Sequence, residues 1–281
     1  MTLEYTEYAV EVFKSIMDIE GITPRDLVNS FNILSILSNF SSITRNSGGR
    51  SSSFFLHSSD KKYIIKTISN KELKVLLSDF LKSYHSHLYK NHDSVISRIL
   101  GAYSFQVNTN YTVHFIVMQS VYTEFSLKAV YDIKGSKLNR NVKTEEKKEV
   151  SENVVLKDIN FLSQEQTMKM PASVAQRMKE IIENDVKMFP KFNIMDYSLL
   201  VAVKNKQEYS KYFFRSTSGP VQGYSIGIID YLQRYNKTKK IEGISKKIMN
   251  LSNSKKVSSI NSEDYCKRFL KFVFQIIEEV C

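Results

Sequence analysis

Apolar residues recur with helical spacing from Tyr8 to Ile19, where Val10, Phe13, Ile16 and Met17 share one side. Thr23-Pro24 then supplies an N-cap and first turn for a second helix reaching about Leu37. Ser41 to Ser53 is polar and rich in serine and glycine, hence a loop. Ser53-Phe54-Phe55-Leu56-His57 and Tyr63-Ile64-Ile65-Lys66-Thr67-Ile68 read as two strands joined at Ser59-Asp60, a hairpin. Lys71 to Tyr89 is predicted as one helix. Ile99 to Val107 and Tyr111 to Val121 are predicted as further strands turning at Asn108-Thr109-Asn110. The first half of the chain therefore reads as an antiparallel sheet flanked by helices.

The second half is patterned differently. Asn139 to Asn153 mixes bases, acids and amides and reads as a solvated connection. Pro171 to Phe189 is an amphipathic helix, followed by strands at Tyr197 to Val203 and Ser225 to Ile229 with the loop Lys204 to Gly223 between them. Asn236 to Asn261 carries no clear strand. Glu263 to Val280 is a closing helix with Phe269, Phe272, Val273, Ile276 and Ile277 as its core stripe, and Ser262-Glu263-Asp264 supplies its cap and favourable dipole charge. There is no internal repeat. The sum is an α+β fold in two lobes with a cleft between them: an antiparallel sheet with helices over about residues 1–121, and a smaller mixed lobe over about 122–281.

Composition narrows the class. A chain of 281 residues is long enough for one large domain of two lobes, and 42% hydrophobic residues with 12% aromatics is a globular balance. Cys266 and Cys281 are too few for a disulfide framework, which fits a reducing cytosol. His85 and His87, two apart in a predicted helix, do not share a face and form no metal pattern. The start Met1-Thr2-Leu3-Glu4-Tyr5 lacks a basic segment ahead of an apolar core, so no secretory signal is expected, and no apolar run reaches bilayer-spanning length. The net charge is +11, from 40 Lys and Arg against 29 Asp and Glu. Ten of these bases fall between Arg234 and Arg268, where only Glu242, Glu263 and Asp264 oppose them. Such a field attracts polyanions, either nucleic acid or an anionic membrane met from the water side. No zinc finger, RNA-recognition signature or basic zipper accompanies it, which makes nucleic acid the minor reading.

Two aspartates carry the candidate chemistry. The run Phe192-Asn193-Ile194-Met195-Asp196-Tyr197-Ser198-Leu199-Leu200-Val201 is answered by Tyr224-Ser225-Ile226-Gly227-Ile228-Ile229-Asp230-Tyr231. Each sets one acid against an apolar, strand-like stretch, where a carboxylate is costly to bury unless paired or bound to metal. Two acids on neighbouring strands suit phosphoryl transfer, which needs one near the accepting hydroxyl and one on Mg²⁺; two turn or edge carboxylates would leave the same pattern. Lys66 alternates with Ile65 and is either a harmless edge lysine or a partnered inner one. Asp132 and Lys134, two apart, share a strand face and either neutralise one another or serve the site. Ser47-Gly48-Gly49-Arg50-Ser51-Ser52-Ser53 is a flexible turn or a loop whose N–H groups can approach phosphate. Ile241, Ile244, Ile248 and Leu251 form one helical stripe with Lys239 and Lys246 opposite, an interfacial or a merely solvated helix.

Taken in order, Lys61-Lys62-Tyr63-Ile64-Ile65-Lys66-Thr67, Tyr131-Asp132-Ile133-Lys134-Gly135-Ser136 and the two aspartate runs resemble the phosphatidylinositol phosphate kinases, from about Tyr5 to Val280. The resemblance implies a two-lobed, kinase-like catalytic domain over residues 1–281, with ATP and Mg²⁺ as cofactors. It implies Lys66 on the α- and β-phosphates, Glu72 as the acid that holds it, and Gly48, Gly49 and Ser51 covering the phosphates. Gln119, Ser120 and Val121 would lie along the adenine. Asp196 matches the catalytic aspartate, Asp132 and Lys134 lie in the catalytic cleft, and Asp230 matches the Mg²⁺ ligand. Arg140 matches a base near the lipid headgroup phosphate. Lys239 and Lys240 match a lysine pair that touches the membrane, and Glu242 matches the acid typical of 5-kinases. Ser52 stands where a second glycine is common, Ile133 replaces a leucine, and Gly243 and Ser245 replace bulkier residues. Asn139-Arg140-Asn141-Val142-Lys143-Thr144 and Ser47-Gly48-Gly49 look closer to phosphatidylinositol 3-phosphate 5-kinases. Gly21-Ile22-Thr23-Pro24-Arg25-Asp26 and Lys157-Asp158-Ile159-Asn160-Phe161-Leu162 look closer to phosphatidylinositol 4-phosphate 5-kinases. The expectation is phosphorylation of phosphatidylinositol 4-phosphate at the inositol 5-hydroxyl, by a cytoplasmic protein peripheral on the cytosolic face of the plasma membrane. A 3-phosphate 5-kinase and a catalytically weak phosphoinositide-binding module are the alternatives, and a homodimer is compatible with either.

Overall fold

A computed structural model describes residues 4–32, 43–45, 53–108, 111–123, 127–143, 154–204, 213–215, 223–234 and 261–280. The first sheet holds β1 (Tyr5–Tyr8), β2 (Ile43–Arg45), β3 (Phe54–His57), β4 (Tyr63–Ile68), β5 (Ile99–Asn108) and β6 (Tyr111–Gln119). Its order is β1-β5-β6-β4-β3-β2, antiparallel throughout. β1 precedes the opening helix and has no counterpart in the hydrophobic pattern, because three of its four residues are exposed. β2 lies inside the stretch expected to be a loop.

Helix α1 (Val10–Ile19) buries Phe13, Ile16 and Met17, the stripe its spacing announced. Helix α2 (Pro24–Ser30) opens on a capping box between Thr23 and Asp26 but stops at Ser30, short of Leu37. The single helix expected from Lys71 is two, α3 (Asn70–Leu76) and α4 (Asp79–Lys90). Ser69 and Ser78 each accept a hydrogen bond from the following turn, so the second serine starts a new helix instead of continuing the first.

The second sheet follows the order β11-β12-β10-β7-β8, built from β7 (Ala129–Ile133), β8 (Val155–Lys157), β10 (Ser198–Lys204), β11 (Phe213–Arg215) and β12 (Gly223–Ile229). It is mixed, since β8 runs parallel to β7. Helices α5 (Asp158–Gln164) and α6 (Ala172–Val186) and a 3₁₀ turn at Phe189–Phe192 accompany it. Pro171 ends strand β9 (Met168–Pro171) and does not begin the helix. The closing helix α7 (Ser262–Ile276) is capped by Asn261, whose Oδ1 accepts from Asp264 N at 2.7 Å. It gives way to β13 (Ile277–Val280), which pairs in parallel with β9. Ile277 therefore belongs to a strand, where ladder partners on β9 replace further helical bonds.

The fold is α+β, as expected. Its two sheets are stitched together where Ile96 bridges Ile228, with Ile228 N donating to Val95 O at 2.8 Å and Ser97 N to Ile228 O at 3.0 Å. Gly227 lies at this junction, where a Cβ would stand 2.5 Å from Val121 Cγ2. Among the described residues no helix is long and apolar enough to cross a membrane.

Candidate active site

Strand β10 pairs antiparallel with both neighbours, Ser198 opposite Ile229 of β12 and Leu199 opposite Ile133 of β7. The start of β10 thus lies beside the ends of β7 and β12. This register brings Asp196, Lys134 and Asp230 to one end of one sheet. Both acids occupy left-handed backbone, Asp196 at φ +70° and Asp230 at φ +61°. That region is sparsely used by residues with a Cβ, and such outliers persist only where their surroundings fix them.

Here the surroundings are aromatic. Each acid is followed by a buried tyrosine, Tyr197 or Tyr231. The ring of Phe189 packs against both, with centroids 4.7 Å and 5.7 Å away. Tyr265 Oη donates to Tyr197 O at 2.5 Å, and Tyr231 Oη donates to Ser97 O at 2.5 Å. Met195 N donates to Gln233 O at 2.9 Å, which ties the two acid segments directly.

Lys66 reaches across from the first sheet. Its Nζ lies 2.5 Å from Asp230 Oδ1, and its side chain is 12% exposed against 31% for Asp230. Burial works to raise the Asp230 carboxyl, but the charge and hydrogen bond of Lys66, with Lys134 behind, outweigh it and hold the pKa below the ordinary carboxylate value. Burial likewise works to lower Lys66, and Asp230, helped by Glu72, outweighs it and raises the ammonium. Glu72 is not the acid that holds Lys66 in this structure. Its carboxylate accepts from Ser69 N at 2.8 Å and Ser69 Oγ at 2.7 Å, closing the α3 capping box.

The Asp132 region also departs from its sequence reading. Lys134 lies one residue past β7, so it does not share a strand face with Asp132. Its Nζ donates to Asp196 O at 2.6 Å and stands 3.9 Å from Asp196 Oδ1. Asp132 pairs instead with Arg140, Nη2 to Oδ1 at 2.9 Å. Arg140 Nε donates to Asp158 Oδ2 at 2.6 Å. The side chain of Asp158 is 0% exposed, and its other oxygen accepts from Lys134 N at 3.0 Å and Ser136 N at 3.1 Å. Arg140 is therefore held between two carboxylates. Asp158 was missed as a site residue. The available signal was an acid directly after a base, in the segment Lys157-Asp158-Ile159-Asn160. Gly135 completes the loop at φ +68°, where a Cβ would stand 3.0 Å from Phe269 Cα of α7.

Gln119 ends β6 and hands the chain to the second sheet through Ser120 and Val121. Gln119 N donates to Arg98 O at 2.8 Å and Ser120 N to Lys62 O at 2.8 Å. Lys66, Glu72, Ile116, Met118 and Asp230 line one recess beside this strand end. Gly48, Gly49, Ser51, Lys239, Lys240 and Glu242 lie outside the described residues. Among the described residues no three His, Cys, Asp or Glu side chains gather as a metal cage.

The profile of the Phosphatidylinositol-4-phosphate 5-Kinase family matches residues 36–222 and 215–276. A probable phosphatidylinositol phosphate kinase of Dictyostelium discoideum is 27% identical over 98% of this chain and 48% of its own length. The phosphatidylinositol 5-phosphate 4-kinase type-2 alpha of Sus scrofa is 25% identical over 98% of this chain and 78% of its own length. Phosphatidylinositol 4-phosphate 5-kinase 5 of Arabidopsis thaliana is 31% identical over 71% of this chain and 25% of its own length. The chain thus spans about half the length of the Dictyostelium relative.

Proposed function

The chain belongs to the phosphatidylinositol phosphate kinase family, and we propose that it transfers the γ-phosphate of ATP to the inositol 5-hydroxyl of phosphatidylinositol 4-phosphate. The observation that carries this reading is the pair of left-handed aspartates at one sheet end, one tied closely to Lys66 and the other more exposed, with Lys134 at a longer distance. Asp196, with 45% of its side chain exposed, orients the attacking hydroxyl and accepts its proton. Lys134 holds the carbonyl of Asp196 and keeps that segment in place. Lys66 is placed to meet the ATP phosphates from the first sheet.

Asp230 fits Mg²⁺, which is commonly held by one or two carboxylates plus substrate phosphates and not by a protein cage. When bound, the ion neutralises charge on the phosphate oxygens. Lys239, Lys240 and the net charge of +11 favour work at an anionic membrane surface, met from the water side.

A second reading is a 4-kinase acting on the 5-monophosphate, favoured by the type-2 alpha relative that covers 98% of this chain. Glu242 supports the 5-kinase reading. The test is a chromatographic assay of the purified chain on the 3-, 4- and 5-monophosphates with labelled ATP. We expect label on the 4-monophosphate, at the 5-position. Preference for the 5-monophosphate would install the 4-kinase reading. Failure to label any of the three, with vesicle binding retained, would leave a membrane-binding module.

A further inference from the structure

Between α4 and β5 the chain passes through Ser94-Val95-Ile96-Ser97-Arg98, and this short segment grips both sides of Asp230. Ile228, two residues before the acid, donates to Val95 O at 2.8 Å and accepts from Ser97 N at 3.0 Å. Tyr231, the residue after it, donates to Ser97 O at 2.5 Å. The same segment holds the end of β6, where Gln119 N donates to Arg98 O at 2.8 Å and Gln119 O accepts from Ser97 Oγ at 2.9 Å. β6 pairs in turn with β4, Ile116 opposite Lys66. One five-residue segment thus supports both Asp230 and the strand pair that carries Lys66.

A buried ion pair holds this segment from within. The side chain of Arg98 is 0% exposed, and that of Glu20, the C-cap of α1, is 3% exposed. Arg98 Nε donates to Glu20 Oε1 at 2.8 Å, while Nη1 turns back to donate to Ser94 O at 2.9 Å and to Ile96 O. Such a pair is weak evidence for stability, because desolvation offsets its attraction and apolar residues of similar volume often serve as well. What the guanidinium supplies is fixed geometry, through directed bonds to two carbonyls of its own segment.

We propose that Arg98, oriented by Glu20, is a positioning residue for Asp230: it holds Ser94–Arg98 in the shape that sets the acid against Lys66 across the cleft. Its effect on turnover rests on the lipid-kinase reading above, while the placement of the acid does not. Asp230 lies in left-handed backbone, which persists only where neighbours impose it. Here the neighbours on both sides of the acid are pinned to the segment that Arg98 braces.

The test is the double variant Glu20→Leu with Arg98→Met, which removes both charges together and strands neither in the core. Its thermal midpoint should stay close to wild type. Turnover on phosphatidylinositol 4-phosphate should still fall by roughly 10- to 100-fold in kcat, the scale of a small misplacement at a reacting centre. The Mg²⁺ requirement should rise and the lipid KM should hold. Amide hydrogen exchange at Ile228 and Gln119 should quicken several-fold while the midpoint stays put, which a general loss of stability would not produce.

Exchange at wild-type rates overturns the proposal, as does faster exchange with wild-type kcat and Mg²⁺ requirement. Should the double variant not fold, Arg98→Lys decides. It keeps a charge beside Glu20 but lacks the fork that spans two carbonyls, so exchange at Ile228 should quicken and kcat should drop; wild-type values for both overturn the assignment. The two readings fail separately. A wild-type chain that turns over none of the monophosphates refutes the kinase activity, and amide exchange in the variants still decides whether Arg98 braces the Asp230 strand.

Discussion

Asp196 and Asp230 are a matched pair with different neighbours. Both sit in left-handed backbone at the same sheet end, and both precede a buried tyrosine packed on Phe189. Their charge surroundings then diverge. The Asp230 carboxylate is tied to Lys66 and depressed by it. Asp196 has its carbonyl taken by Lys134, whose Nζ stands only 3.9 Å from a carboxylate that is 45% exposed. Backbone and aromatic packing thus fix where the acids stand, and the cation that reaches each one fixes what it can do. On the proposed reading the carboxylate paired closely with a lysine is the one that takes the metal, and the more exposed one takes the proton.

The strongest way to break the comparison is Asp196→Asn. Removing a general base costs about 10²–10⁴-fold in kcat, and an exposed carboxylate contributes little to folding. Turnover should collapse while the thermal midpoint and MgATP binding hold. Near-normal kcat would make the two acids equivalent bystanders.

Asp230→Asn should act on the other side of the comparison. Activity should become dependent on high Mg²⁺, and stability should fall by about 1–3 kcal/mol because Lys66 loses its charged partner. The pH dependence has a defined sign. Asp230 is depressed below its ordinary 3.8, so its contribution is present above that value and is lost as the pH falls through the folded pKa. Lys66 is raised above its ordinary 10.5, so its contribution is present below that value and is lost as the pH rises through the folded pKa. The stability gap between wild type and Asp230→Asn should therefore be flat between these limits and shrink at both ends, as denaturant melts across pH would show. A gap that grew in acid would contradict the pairing.

The same contrast explains what could be read in the chain. A lone acid in an apolar run stands out locally, so both aspartates and their strands were visible, as were α1 and the β3–β4 hairpin. Partners were not visible, because they depend on distant segments. Asp158 meets Arg140 across 18 residues, and Lys66 meets Asp230 across 164. Asp132 and Lys134 looked like face-sharing neighbours, but β7 ends between them and sends each to a different partner. β13 was hidden because Ile277 continues an apolar helical stripe and only the presence of β9 makes it a strand. Arg140 stands out through its motif, while its two carboxylate partners are contacts that spacing cannot report.

The smallest expected effect is the one that separates the resemblance from the structure. If Glu72 were the acid that holds Lys66, Glu72→Gln would release the lysine and activity would fall steeply, as for Asp230→Asn. In the structure Glu72 closes a capping box on Ser69, and glutamine serves that role as well as glutamate. Glu72→Gln should therefore keep the midpoint and change kcat by no more than about threefold, while Glu72→Ala should cost about 0.5–1 kcal/mol of stability. The lysine itself can report. Burial lowers the Lys66 ammonium, and Asp230 is the main group that outweighs it, with Glu72 a lesser one. At mildly alkaline pH, amine-reactive labelling of Lys66 should rise strongly in Asp230→Asn and only slightly in Glu72→Gln. The reverse order would move the holding acid back to α3, leaving Asp230 without its close cation and removing the difference in charge on which the proposed separate roles of the two aspartates depend.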